Sequence, residues 1–254
     1  MGRSLDRADI SADLASLGLR AGHHVLVHSS LSSMGHVHGG AETVVRALID
    51  VVGATGTVLV PTLTGSEKVG PGTPLVFDVA STPGWTGAIS EALRQWDGAV
   101  RSRHPTHSVA ALGAGAKRLT AGHADCLTPC GPGSPYDRLA GDPDGVILLL
   151  GCDHESNTTW HHVEEVAGAE YHLQPVLVRA EIRDGDSSEL RDYWMHQYGT
   201  SRNFGAIEPL LQQRHHQVEG RVGEAFARLL SAGGAVSVGL QALKADRRFF
   251  VSSS

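Results

Sequence analysis

The 254-residue sequence predicts an α/β protein: a central mixed or parallel sheet flanked by helices, with an antiparallel extension at its C-terminal end. Three observations predict it. Residues 24–61 run strand, glycine-rich turn, helix, strand, which is the order of a βαβ unit and so of a parallel pair. Residues 146–150 are a wholly apolar run followed at once by a polar turn and a helical pattern. After residue 172 the texture changes to short segments that read as strands of an antiparallel sheet mixed with helical stretches.

The elements follow in order. Residues 6–20 space Ile10, Leu14 and Leu17 at helical intervals behind Asp6, a suitable N-cap. Residues 24–28 are a short buried strand. Glycines 39 and 40 open a helix over 41–52, which Gly53 and Gly56 close, and 57–61 form the next strand. The proline- and glycine-rich stretch 62–84 reads as a long loop, and loops of that length inside a compact domain are usually functional. A helix over 86–96, a strand over 107–113, a proline/glycine stretch at 128–135, the strand 146–150 and a helix over 160–167 complete this part. Beyond it, 175–185 and 233–240 read as strands, and 206–214 and 221–231 as helical.

Apolar residues make up 41% and charged residues 19%, enough to bury a core and too balanced for disorder. No apolar run approaches the ~18 residues that cross a bilayer, and the N-terminus carries no apolar signal segment, so a soluble cytoplasmic protein is expected. Three cysteines do not make a disulfide framework. A net charge of -6 with no basic run disfavours a nucleic-acid surface and favours attraction of cations.

Three stretches carry chemistry. Residues 151–165 follow the apolar strand, at the carboxyl end where α/β sheets place ligands. Thr158 or Thr159 can cap the helix there, on which His161 and Glu164 stand three apart on one face. A carboxylate that accepts from one imidazole nitrogen leaves the other free to take a proton. His162 and Glu165 repeat the spacing, turned by ~100°. The same residues also fit an exposed helix with ordinary charge pairs, or a zinc site drawing on His154, His161 and His162, although neither H-E-x-x-H nor paired C-x-x-C is present. Residues 28–40 form a Ser/Gly loop between strand and helix, suited to phosphate or simply to a turn; it lacks a P-loop lysine and the G-x-G-x-x-G spacing. Residues 101–108 bring Arg101, Arg103, His104 and His107 together, for an anion or for a solvated turn at Pro105. Cys152, at a strand end, reads as a core residue.

Taken in order, LVHSSLSSMG (26–35), GTVLVPTLT (56–64), TPGWTGAISEALR (82–94), VRSRHPTHSVAALG (100–113), GPGSPYDRL (131–139) and LLLGCDHESNTTWHHVEE (148–165) resemble the aminoglycoside 3-N-acetyltransferases, which are unrelated in fold to the GNAT acetyltransferases. The resemblance implies one domain over 1–254, with a coenzyme and catalytic core in 1–172 and an extension in 173–254. It implies acetyl-CoA as cosubstrate, no metal, and direct transfer of acetyl to the 3-amine of an aminoglycoside bound at the same time. By position, His161 and Glu164 match the reaction-centre pair and Thr158 lies near the thioester, a candidate oxyanion donor. His28, Ser29, Ser30, Leu31 and Ser32 match the coenzyme loop, and Ser102, His104 and Ser108 the stretch lining the coenzyme. Asp78, Asp153 and Glu165 are expected to draw a polycationic acceptor to the cleft. Cys152 and Asp153 depart from the family pattern, which puts local acceptor contacts in question. A monomer or homodimer without nucleic-acid or membrane partners is expected. Competing readings are an acetyltransferase for another amine, a zinc-dependent amidohydrolase and a non-catalytic coenzyme-binding module.

Overall fold

The structure, a computed structural model, describes residues 4–72 and 75–252. Among these are ten strands: β1 (His24–Ser29), β2 (Thr57–Pro61), β3 (Leu75–Asp78), β4 (Val100–Arg101), β5 (Val109–Gly113), β6 (Gly145–Leu150), β7 (Val178–Asp184), β8 (Ser187–Tyr193), β9 (Gln217–Val222) and β10 (Ala225–Ser231). The helices are α1 (Arg7–Leu17), α2 (Gly40–Val52), α3 (Ala88–Arg94), α4 (Ala116–Thr120), α5 (Pro135–Ala140), α6 (Thr159–Ala167), α7 (Glu208–Gln213) and α8 (Ala232–Ala245).

Seven strands form the main sheet in the order β4-β5-β2-β1-β6-β10-β9, and β3-β7-β8 form a small second sheet. β1 lies at the centre, parallel to both β2 and β6, as the βαβ order requires. β5 and β10 join antiparallel on either side, and β9 closes the edge. Alternate residues of β1 feed two cores. Val25 and Val27 point toward α1, α2 and α3, where Ile10, Leu14, Val44, Leu48 and Ile89 pack. Leu26 points to the opposite core, with Tyr136, Leu139 and Trp160 beneath α5, α6 and α8. With both faces covered, β6 is buried along its whole length, which is why it reads as an uninterrupted apolar run.

Local chemistry sets the ends. Asp6 accepts from Asp9 N while Asp9 accepts from Asp6 N, a capping box that starts α1. Ser134 caps α5, with Pro135 at its first position. Three expectations need correction. The stretch 62–84 is not all loop, because β3 lies within it and pairs parallel with β7; residues 73–74 of that stretch lie outside the described residues. Residues 221–231 are not helix but the end of β9, a turn at 223–224 and β10: Ala225, Ala227 and Leu229 face inward while Phe226 is exposed, and β10 fills the place beside β6. Residues 233–240 are helix, not strand, since Ser231 accepts from Gly234 N and opens α8. Gly239 lets α8 approach α6 closely, for a Cβ there would stand 2.9 Å from Val163 Cγ1 and 3.2 Å from Trp160 Cζ3. The antiparallel strands expected after residue 172 are present, in β7–β8 and in β9–β10.

Candidate active site

The neighbouring strands β1 and β6 deliver their following loops side by side. After β1, Ser30 N donates to Leu150 O at 2.9 Å and a 3-10 turn (Leu31–Met34) begins. After β6 the chain turns at Gly151, φ +71°, where a Cβ would meet Ser33 Cβ at 2.6 Å; glycine is needed for both reasons. Ser33 Oγ donates to Gly151 O at 3.0 Å, fastening the two loops. Asp153 caps the 3-10 turn His154–Ser156. Thr158 stands at the N-cap position of α6 but makes no side-chain cap bond; Asn157 Oδ1, one residue earlier, accepts from Thr159 N at 3.1 Å.

On the first turns of α6, His161 Nδ1 donates to Glu164 Oε2 at 3.0 Å. Glu164 is fully buried, and three groups hold it. His161 and His172 Nδ1 (2.9 Å) share Oε2, and Arg202 Nε donates to Oε1 at 2.7 Å. Burial opposes its ionised form, but the hydrogen bonds from His161 and His172 outweigh that and hold the carboxyl well below the usual carboxylate range. His172 Nδ1 also lies 3.2 Å from Arg202 Nη2, so it donates to Glu164 or accepts from Arg202 according to its proton. Burial lowers the pKa of His161, more than the hydrogen bond to Glu164 raises it, so the ring is neutral at neutral pH. Its side chain remains 28% exposed, which gives this one ring of the group access to a ligand.

That access is to a cleft of about 410 Å³ walled by His28, Ser29, Trp85, Glu155, Thr158 and His161. His28 is buried at the cleft wall, its Nε2 has no hydrogen-bond partner among the described residues, and burial lowers its pKa to about 3, leaving a neutral ring. Trp85 is 64% exposed at the cleft and is oriented by Nε1 donating to Gly65 O.

The structure thus brings His28, Ser29, Thr158, His161 and Glu164 together. Ser30, Leu31 and Ser32 stand in the adjoining turn but not on the cleft wall; Ser30 Oγ bonds to Ser32 Oγ, and Leu31 packs against the core. Ser102, His104 and Ser108, expected to line the coenzyme, are buried and do not wall the cleft; the interior uses the two hydroxyls and His104 Nδ1, while His104 Nε2 has no hydrogen-bond partner among the described residues. Ser102 Oγ meets His123 Nδ1 and accepts from Val109 N, both at 2.8 Å. His104 Nδ1 accepts from His107 N, and its ring stacks on His123. Ser108 Oγ binds Thr62 and accepts from the buried Arg101.

Nor do the three expected acids wall the cleft. Asp78, on the second sheet, accepts from Ser81 N. Asp153 is spent on its cap. Glu165 is buried, accepting from Cys130 N at 2.9 Å and His196 Nε2 at 2.6 Å, and so does not pair with His162. His162 instead donates to Cys130 O. The acid at the cleft is Glu155, which neighbours the expected Asp153 and accepts from Gly205 N. The histidines named for a zinc site do not converge: His154 is bound between Trp160 and Gln217. Arg202, His172 and His196, which complete the surroundings of the dyad, stand on later segments with no spacing signal to α6.

Comparison with known proteins identifies the family of the chain. Residues 26–244 match the family described as aminoglycoside 3-N-acetyltransferase. Aminoglycoside N(3)-acetyltransferase IX of Micromonospora chalcea is 36% identical over 260 residues, covering 91% of each chain. Among solved structures, a histidine-to-alanine mutant of aminoglycoside acetyltransferase AAC(3)-IVa in complex with a gentamicin superposes with a TM-score of 0.85 at 28% identity, over 100% of this chain and 93% of that one. AAC-IIIb, solved as a binary complex with CoASH, gives 0.80 at 26% identity over 99% and 100%. A family match over residues 26–244 and a relative 36% identical over 91% of each chain make this protein a member of the aminoglycoside 3-N-acetyltransferase family, an acyltransferase.

Proposed function

We propose that the protein transfers the acetyl group of acetyl-CoA to the 3-amine of a 2-deoxystreptamine aminoglycoside, in the cytoplasm, with both substrates bound together, and so confers resistance to the antibiotic. One observation carries the reading: a neutral imidazole, open to a cleft, backed by a buried carboxylate that three donors keep ionised. Acetyl-CoA supplies an activated acyl group as its thioester. His28 Nε2, Ser29 and Thr158 offer the polar atoms that fit such a substrate in the cleft.

An amine of this class is protonated at neutral pH and cannot attack. His161 takes the ammonium proton on its free nitrogen, while Glu164 holds the ring and stabilises the imidazolium. The C–N bond then forms as the C–S bond breaks, the leaving thiolate recovers a proton from His161, and the second proton of the acylated nitrogen passes to solvent, leaving a neutral amide. A base so placed contributes roughly 10²–10⁴ in rate. Thr158, one turn before His161 on the same wall, is the candidate donor to the developing oxyanion. Glu155 is the negative group that meets the cationic acceptor.

Thiol release from acetyl-CoA in the presence of an aminoglycoside panel tests the proposal, with NMR locating the acetyl group. Release that depends on the aminoglycoside, with acetyl on the 3-amine, is the expected result. Acetyl-CoA binding without turnover of any aminoglycoside overturns the acceptor and points to another amine.

A further inference from the structure

Behind the dyad, four imidazole rings crowd together in the interior: His161 and His196 have centroids 4.8 Å apart, His172 and His196 4.1 Å, and His107 and His196 4.3 Å. The proposed reaction employs only the first as a base, and Cys130, fully buried next to them, has no part in it. We propose that His107, Cys130 and His196 form a site for a thiophilic divalent cation such as zinc or cadmium, and that its occupancy arrests acetyl transfer.

One donor atom from each of the three lies within 4.8 Å of the other two. A tetrahedral ion with bonds of about 2.0–2.3 Å closes that triangle with movements of roughly 0.5–1 Å per side chain. The surroundings have the form that metal sites require outside their ligands. His196 Nε2 is fixed on Glu165 Oε1 at 2.6 Å, and the same oxygen accepts from Cys130 N at 2.9 Å. His107 Nδ1 is fixed on Thr106 Oγ1 at 2.9 Å. Glu165 Oε2 is buried with no hydrogen-bond partner among the described residues, an acidic oxygen that a dication would satisfy. The sulfur donor sets the class of ion, since a thiolate with two imidazoles prefers zinc or cadmium to magnesium or calcium. Binding exchanges the thiol proton for the metal and releases it to solvent.

His161, His172 and His196 make a second triangle of donors within the same 4.8 Å. It is an all-nitrogen set and includes the proposed base, so the two sets separate by mutation. A dication on His196 stands one ring from His161 and withdraws its basicity. That effect on transfer rests on the role given to His161 above; cation binding does not.

The test uses the full chain freed of metal, with cobalt(II) as a spectroscopic probe. The expected result is one equivalent bound, with a thiolate-to-cobalt charge-transfer band that zinc abolishes by displacement. Cys130→Ser loses the band and weakens zinc at least tenfold, whereas His161→Ala keeps both. His107→Gln serves as a second variant and weakens zinc likewise. One equivalent of zinc lowers transfer at least tenfold and chelation restores it, while Cys130→Ser keeps its own metal-free rate in zinc. Absence of stoichiometric uptake, or of the charge-transfer band, overturns the site. Binding that survives Cys130→Ser but fails in His161→Ala overturns it in favour of the all-histidine set. Stoichiometric binding with unchanged transfer overturns the inhibitory role alone.

Discussion

Removing Arg202 and removing the charge of Glu164 should move the pH profile of the enzyme in opposite directions. Arg202 and His161 hold opposite oxygens of one carboxylate, at 2.7 and 3.0 Å. A protonated His161 therefore stands roughly 6 Å from the guanidinium, and at an effective dielectric of about 20 their repulsion is about 2–3 kcal/mol, or one to two pK units. Arg202→Met lifts that repulsion, so His161 binds its proton more tightly and the acid limb of kcat/KM moves to higher pH by about a unit. Glu164→Gln removes the group that raises the His161 pKa, so the limb moves to lower pH while the plateau falls through loss of orientation. Arg202 is mostly buried against a wholly buried partner, and loss of one member of such a pair costs about 3–5 kcal/mol of stability. Arg202→Lys keeps the charge, so it should hold the acid limb near its wild-type position while recovering part of the stability. The assay is initial-rate thiol release from pH 5 to 9 for all three variants, with urea unfolding alongside. Acid limbs that shift in the same direction for Arg202→Met and Glu164→Gln would refute the electrostatic argument.

Other outcomes follow from the same geometry. His161→Ala should lower kcat/KM at least a hundredfold with circular dichroism unchanged; near-wild-type turnover removes it as the base. Gly239→Val drives a branched side chain into Val163 and Trp160 and should cost about 1–3 kcal/mol, read as a lower urea midpoint; an unchanged midpoint contradicts the close packing of α6 and α8. His28 and His123 are buried neutral, with pKa values lowered to about 3 and about 4. The unfolded chain takes up their protons near pH 6.5 and the folded one only far below. Stability is therefore complete above pH 6.5 and should drain away between about 6.5 and 3, by on the order of several kcal/mol. Urea midpoints flat over that range would contradict their buried, neutral state.

What could be read from the sequence was what neighbours in the chain decide. Asp6 and Asp9 are three residues apart, and so are His161 and Glu164, so cap and dyad are legible from spacing. β6 is legible because burial on both faces leaves no polar residue in it. The surroundings of Glu164 are not legible, because Arg202 lies 38 residues on and only the tertiary fold brings it back. Ser102, His104 and Ser108 are polar, and polarity alone does not separate a side chain that meets a ligand from one that ties β4, β5 and the β2 loop together. The exchange of strand and helix after residue 220 has the same origin. Residues 225–231 fit helical and strand patterns alike, and the open place beside β6 decides. Gly233, Gly234 and Gly239 with their valines imitate a strand, yet contact with α5 and α6 selects the helix.

The pairing of β6 with β10 also governs how the chain comes off the ribosome. β6 is finished at residue 150, but β10, which covers one of its edges, ends only at residue 231. Through some eighty residues of synthesis the most apolar strand of the molecule has β1 on one side and an unsatisfied edge on the other. A nascent chain that stalls in this interval exposes a template for pairing with another chain. Translation arrested between residues 203 and 225 should therefore yield aggregate, even though every residue from the serine loop to Arg202 has already been made.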